Sequence, residues 1–174
     1  MRTVDLLFFM GQSNMAGRGE AALAPVVAPG MGYEYRAVTD PDTLHPLEEP
    51  FGVNENDPAG VYEPGMKTGS MVSSFVNACT AQTGVPVVGV SCAKGGSAIA
   101  KWLPGTPYYQ DAVRRARKAH AFCRQTAIPS ATARWSGARA APTATCIPPR
   151  MFTKPTPSAF CTALCRMRAR KPAF

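Results

Sequence analysis

Residues 4–17 read VDLLFFMGQSNMAG, and the fold turns on them. Val4 to Met10 is a near-continuous apolar run of strand length, the pattern of a strand buried on both faces of a parallel sheet. Gly11 ends it, and the polar residues that follow open a helical turn. A second run of the same kind, VPVVGV at 85–90, reads as a second buried strand, with Pro86 tolerated at its start. Between the two, Thr68 or Ser70 can cap a helix whose apolar positions Met71, Val72, Phe75, Val76 and Cys79 recur at helical spacing, with Gly84 closing it. Pro107 to Phe122 reads as a basic amphipathic helix. Tyr109, Ala112, Val113, Ala116 and Ala119 lie on one side, and Arg114, Arg115, Arg117 and Lys118 largely on the other. The stretch from Glu20 to Gly65 has no sustained period and reads as a long excursion, with a short helical turn near Ala21 to Leu23. Strand, helix, strand, helix with buried strands predicts an α/β domain built on a parallel sheet.

In such sheets ligands sit at the carboxyl ends of the strands, where two short polar motifs fall. GQSNMAG at 11–17 places Ser13 on the turn from strand to helix. There the free backbone N–H groups and the positive end of the helix suit a nucleophile with an oxyanion beside it. The same residues also fit a plain helix cap at Ser13 or Asn14. The pattern is not the G-x-S-x-G elbow, since Gln12 breaks it and no glycine follows in the right place. SCAKGGSAIAKW at 91–102 puts Gly95 and Gly96 just past the second strand, where paired glycines let a carbonyl oxygen approach backbone N–H groups closely. Taken alone, such a pair is also what an ordinary turn uses.

The formal charge of +8 hides two unlike halves. All 11 acidic residues lie within 1–122, with 10 of the 19 basic ones, while 123–174 holds the other nine and no acid. That second stretch also lacks Val, Tyr, Asn and His and carries seven prolines. Such a composition does not readily build a strand or offset its own ordering entropy. It predicts structure over 1–122 and a disordered basic tail over 123–174. Cys161 and Cys165 lie four apart with no second pair and no histidine nearby, so no metal site is expected. The apolar run at 4–10 is too short for a signal-peptide core and holds Asp5, and no run reaches membrane-spanning length. The expectation is a cytoplasmic protein that engages no membrane.

Taken in order, GQSNMAGRG, KTGSMVSSF and VVGVSCAKGGSAIAKW resemble the sialate O-acetylesterase-like branch of the SGNH/GDSL hydrolases, which includes carbohydrate esterase family six. The resemblance covers most of residues 4–122. It implies a three-layer, flavodoxin-like parallel sheet of which only the N-terminal half is encoded. It further implies a serine esterase that removes O-acetyl groups from small carbohydrates without a cofactor. Ser13 would be the nucleophile, the backbone N–H groups of Ser13 and Gly95 two arms of the oxyanion hole, and Gln12, Asn14 and Gly96 would shape the site.

The family's later blocks, a Trp-x-Gln-Gly-Glu-Ser-like segment and a closing Asp-x-x-His, do not occur in the 174 residues. Asp42 and His45 in DTLH have the second spacing but sit in the first long loop rather than after a last strand, and His120 falls on the basic helix, facing solvent. Read from the third base of each codon, Ala133 to Cys146 is compatible with QVVWCQGCSDGDL, which restores the first missing block. A truncated, frameshifted esterase with impaired activity is therefore expected, the shift falling close to Cys123. The alternatives are a non-catalytic carbohydrate-binding remnant and a basic nucleic-acid-binding protein. For the last, the tail has neither aromatic interleaving nor a helical charge stripe.

Overall fold

A computed structural model describes residues 3–126 and, as backbone, the strand at 130–138. Five strands, β1 (Val4–Gly11), β2 (Gly32–Arg36), β3 (Asp40–Pro46), β4 (Val87–Ala93) and β5 (Ser130–Ala138), form one sheet in the order β3-β2-β4-β1-β5. All neighbouring pairs are parallel except β2 with β3, which is antiparallel. Period-two alternation along the strands divides the core into two layers. Leu6, Phe8 and Met10 of β1 face the same way as Val88, Val90 and Cys92 of β4, and they meet Ala112, Ala119 and Cys123 of helix α3 (Pro107–Gln125). Leu7 and Phe9 face the other way with Val87 and Ala93, against Val72 and Val76 of helix α2 (Val72–Thr83). Phe9 packs edge-on against both Phe51 and Phe75, with ring centroids 5.3 and 5.9 Å apart. The expected three-layer α/β architecture with a parallel-dominated sheet is what the chain forms.

Helix ends follow local chemistry. Gly84 closes α2 at φ 66°, a left-handed conformation that costs a glycine little. At the other end the helix starts at Val72, where the Ser70 hydroxyl accepts the Val72 N–H at 3.1 Å. The Glu49 carboxylate takes the Ser70 N–H at 2.8 Å and the Ser70 hydroxyl at 2.6 Å, placing an acid at the positive end of the helix.

Four expectations change. The stretch read as a loop between Glu20 and Gly65 contains β2 and β3 as well as the expected short turn, a 3-10 helix at Ala21–Leu23. Glu34 disguises β2, since a charged residue is not expected in a strand interior. It is buried because it accepts the Arg36 guanidinium and the Gly52 N–H, each at 2.8 Å. The second buried strand begins at Val87 and runs on to Ala93, because Ser91 within it finds a buried partner in Lys67 at 3.0 Å. Arg115, assigned by helical phase to the solvent side of α3, is fully buried. Its guanidinium bonds the Asp111 carboxylate at 3.0 and 2.9 Å and the carbonyls of Ser91 at 2.9 Å and Glu55 at 3.2 Å. Finally, order does not end at Phe122: α3 runs to Gln125 and β5 pairs along β1 from Val4 to Gly11. Composition argued against a strand there, but the outer edge of β1 offers a ladder of backbone donors and acceptors that pairing satisfies without valine. The remainder of the expected disordered tail, 127–129 and 139–174, lies outside the described residues.

Candidate active site

Gly11 of β1 and Ala93 of β4 are partners in register, so the two chains leave the sheet side by side at its carboxyl edge, about 4.8 Å apart. Each leads directly into one of the polar motifs. From Gly11 the backbone passes through Gln12 into a single helical turn, α1 (Ser13–Ala16), which Gly17 ends at φ 92°. Met15 and Ala16 anchor that turn in the core, leaving Ser13 half-buried and Asn14 exposed. A Cβ on Gly17 would lie 2.8 Å from the backbone of Gly69, so the end of the turn can close only on a glycine.

From Ala93 the chain makes a tight turn through Lys94, Gly95 and Gly96. The Ser97 hydroxyl donates to the Lys94 carbonyl at 2.7 Å and accepts the indole N–H of buried Trp102 at 3.0 Å. The two motifs are tied together twice. The Lys94 N–H donates to the Gly11 carbonyl at 3.0 Å, and the Gln12 side-chain amide donates to the Ser97 carbonyl at 2.5 Å. Ser13, Gln12, Asn14, Gly95 and Gly96 are thus brought to one edge of the sheet.

Two further residues enter that the sequence did not single out. Glu63, buried in the long excursion, accepts the Gly95 N–H with both carboxylate oxygens at 3.1 Å. The Arg18 guanidinium also bonds that carboxylate, and the Lys94 ammonium lies 3.7 Å from it. Gly95, expected to offer its N–H to an ester oxygen, therefore has that N–H committed to Glu63. The neighbouring Gly96, exposed and at φ 64°, makes no backbone hydrogen bond among the described residues. Arg18 stands inside the quoted GQSNMAGRG motif, so it was in view without a role. Glu63 carried no signal, because its partner is 32 residues away.

The DTLH segment lies elsewhere. His45 is in register with Glu34 of β2, which pairs with Gly89 of β4, itself opposite Leu7 of β1. It is three strand spacings across the sheet and four residues short of Gly11, on the order of 20 Å from the serine turn. Its Nε2 meets Oδ2 of Asp40 at 2.9 Å rather than Asp42, which is exposed. The Thr43 hydroxyl at 2.6 Å, helped by His45, holds the Asp40 carboxyl below its usual range. His120 is exposed, 13 residues along α3 from Pro107 and so about 20 Å from that end of the helix. Among the described residues no group of three His, Cys, Asp or Glu is placed to hold a metal ion, and no helix is long and apolar enough to cross a membrane.

A family model described as SASA, carbohydrate esterase, sialic acid-specific acetylesterase, matches residues 3–128. The chain belongs to that family. A search of curated proteins finds no match. Among solved structures, the chain is similar to a protein from Arabidopsis thaliana determined at 1.6 Angstrom resolution, with 23% sequence identity and a TM-score of 0.55. The likeness covers 78% of this chain and 57% of the Arabidopsis one, so this family member spans little more than half the length of that relative. At that identity the likeness is one of fold.

Proposed function

We propose that the chain carries the nucleophile half of a carbohydrate O-acetylesterase site, with Ser13 as the attacking residue. The observation that carries this reading is the register of Gly11 with Ala93, which sets a serine at a helix N-terminus beside a Gly-Gly turn at the carboxyl edge of a parallel sheet. Family membership supports the substrate class, a small acetylated carbohydrate such as an O-acetylated sialic acid. In the reaction the Ser13 oxygen attacks the acetyl carbonyl and nearby N–H groups stabilise the developing oxyanion; the ester C–O bond to the sugar then breaks, the sugar leaves as its alcohol with the proton that serine gave up, and water releases acetate from the acyl-serine. The step needs a base to take the serine proton. Neither His45 nor His120 is at the serine turn, so this chain is expected to turn over slowly.

Hydrolysis of p-nitrophenyl acetate and of an O-acetylated sialic acid by the 174-residue chain, compared with Ser13→Ala, tests the reading. A rate barely above background that Ser13→Ala abolishes supports it, and a restored downstream reading frame should raise that rate by orders of magnitude. Full activity that disappears in His45→Ala would replace it with a site built on DTLH.

A further inference from the structure

Burying a carboxylate is costly unless charge and hydrogen bonds compensate it. Glu63 is compensated in an unusual place. Its side chain is 3% exposed, and the groups that face its carboxylate are the Arg18 guanidinium, the Lys94 ammonium and the Gly95 N–H. All three come from the two motifs that build the candidate site: Arg18 follows the serine turn, and Lys94 and Gly95 form the turn after β4. Arg18 is fixed in its own right, with Nη1 donating to the carbonyls of Gly17 at 2.9 Å and Met66 at 2.5 Å. The backbone is fitted to the arrangement, since a Cβ on Gly95 would lie 2.7 Å from the nearer Glu63 oxygen and would run into the Arg18 guanidinium.

We infer that Glu63 is a positioning residue. It clamps the Gly95 N–H, sets the separation of the Gly-Gly turn from the serine turn through Arg18, and leaves the next amide, that of Gly96, to serve as the oxyanion donor beside Ser13. The inference rests on the reading of Ser13 as the nucleophile. It goes beyond that reading by assigning a role to a residue outside both motifs and by moving the donor from Gly95 to Gly96. Glu63 does not touch the reacting atoms. It acts by holding one amide so that its neighbour is presented at the tip of the turn.

The test uses the full chain, labelled with nitrogen-15, as wild type, Glu63→Gln and Glu63→Ala. Two quantities are read: hydrogen exchange at the Gly95 amide, and the rate at which diisopropyl fluorophosphate modifies Ser13. In that modification the serine oxygen bonds phosphorus, the P–F bond breaks, and fluoride and the serine proton leave. A bond from an amide to a buried carboxylate should slow Gly95 exchange by about tenfold to a hundredfold. Glu63→Ala should lose that protection and Glu63→Gln part of it, while the amides of Val88 and Val90 in β4 stay protected and report an intact sheet. Ser13 modification should slow by about tenfold in Glu63→Ala, with partial rescue in Glu63→Gln. Unchanged Gly95 exchange, or a freed Gly95 amide with an unchanged Ser13 rate, overturns the inference. Should Glu63→Ala unfold, the isosteric Glu63→Gln carries the comparison alone. A wild-type Ser13 that does not react while Gly95 is protected defeats the nucleophile reading instead.

Discussion

The side-chain amide of Gln12 donates to the carbonyl of Ser97 at 2.5 Å, joining two residues 85 positions apart in sequence. With the Lys94 N–H on Gly11, it makes the serine turn and the Gly-Gly turn one rigid unit. Replacing Gln12 with Ala removes the link and leaves a part-buried carbonyl without its donor. It should cost about 1 kcal/mol of stability, read from urea denaturation. The effect on Ser13 should be larger than that figure suggests, because reactivity is sensitive to small displacements. Phosphorylation of Ser13 by diisopropyl fluorophosphate is expected to slow by roughly tenfold or more.

Arg114 and Arg115 are adjacent in sequence and opposite in consequence. Both bond Asp111, but the side chain of Arg115 is 1% exposed and that of Arg114 is 46% exposed. Arg115→Met strips a buried carboxylate of its bidentate partner and should destabilise the fold by about 3–5 kcal/mol. Arg114→Met removes a guanidinium that solvent screens, leaving Asp111 its bidentate bond to Arg115, and should cost about 1 kcal/mol or less. Paired thermal melts check the ratio, and equal losses would contradict the buried position of Arg115.

Lys67 donates to the Gly52 carbonyl at 2.8 Å and to the Ser91 hydroxyl at 3.0 Å. Burial, and then the nearby Arg115, push its ammonium down to about 8 from an ordinary 10.5. Between those values the unfolded chain binds more protons than the folded one, so this group makes stability rise as the pH climbs through 8. As the pH approaches the ordinary thiol value of 9.0, two buried thiols act in the opposite sense: Cys92, pushed up to about 12 chiefly by burial, and Cys123, also pushed up by burial. Between pH 8 and 9 the Lys67 contribution alone should add about 1 kcal/mol, against which the two thiols take back a part, so it is read as the difference between wild type and Lys67→Met. Denaturant midpoints across that interval should rise in the wild type relative to Lys67→Met, and parallel pH profiles of the two proteins would contradict the buried ammonium.

Ser73 in α2 is buried, and its hydroxyl has no hydrogen-bond partner among the described residues. An unpartnered buried hydroxyl is a standing cost, so Ser73→Ala should leave stability unchanged or raise it by about 1 kcal/mol. A melting temperature lower by several degrees would show that the hydroxyl has a partner.

What the sequence made legible follows from how local each signal is. The apolar runs of β1 and β4, the left-handed glycine that closes α2 and the proline that opens α3 are read within a few residues, and they fixed the α/β layering. The strand β2 was hidden because Glu34 is satisfied by Gly52, 18 residues on. The side of α3 that Arg115 occupies was misread because helical phase alone treats arginine as solvated, whereas its partners Ser91 and Glu55 come from elsewhere in the fold. The site divides in the same way: Ser13, Gln12 and the Gly95–Gly96 pair are contiguous motifs, while the clamp by Glu63 depends on a contact that no local spacing announces.

The central claim, that Ser13 is the nucleophile, is tested most directly by peptide mapping of the full chain after treatment with diisopropyl fluorophosphate. Ser91 is the instructive rival, since its hydroxyl is bonded to Lys67, the side chain whose ammonium is held near 8, and serine–lysine pairs do serve as nucleophile and base in some enzymes. Ser91 and Lys67 are both buried, however, 3% and 4% exposed, whereas Ser13 is only half-buried at the edge of the sheet. The account predicts that the phosphoryl group is found on Ser13, slowly acquired and absent from Ser13→Ala. Modification of Ser91 with Ser13 untouched would contradict it.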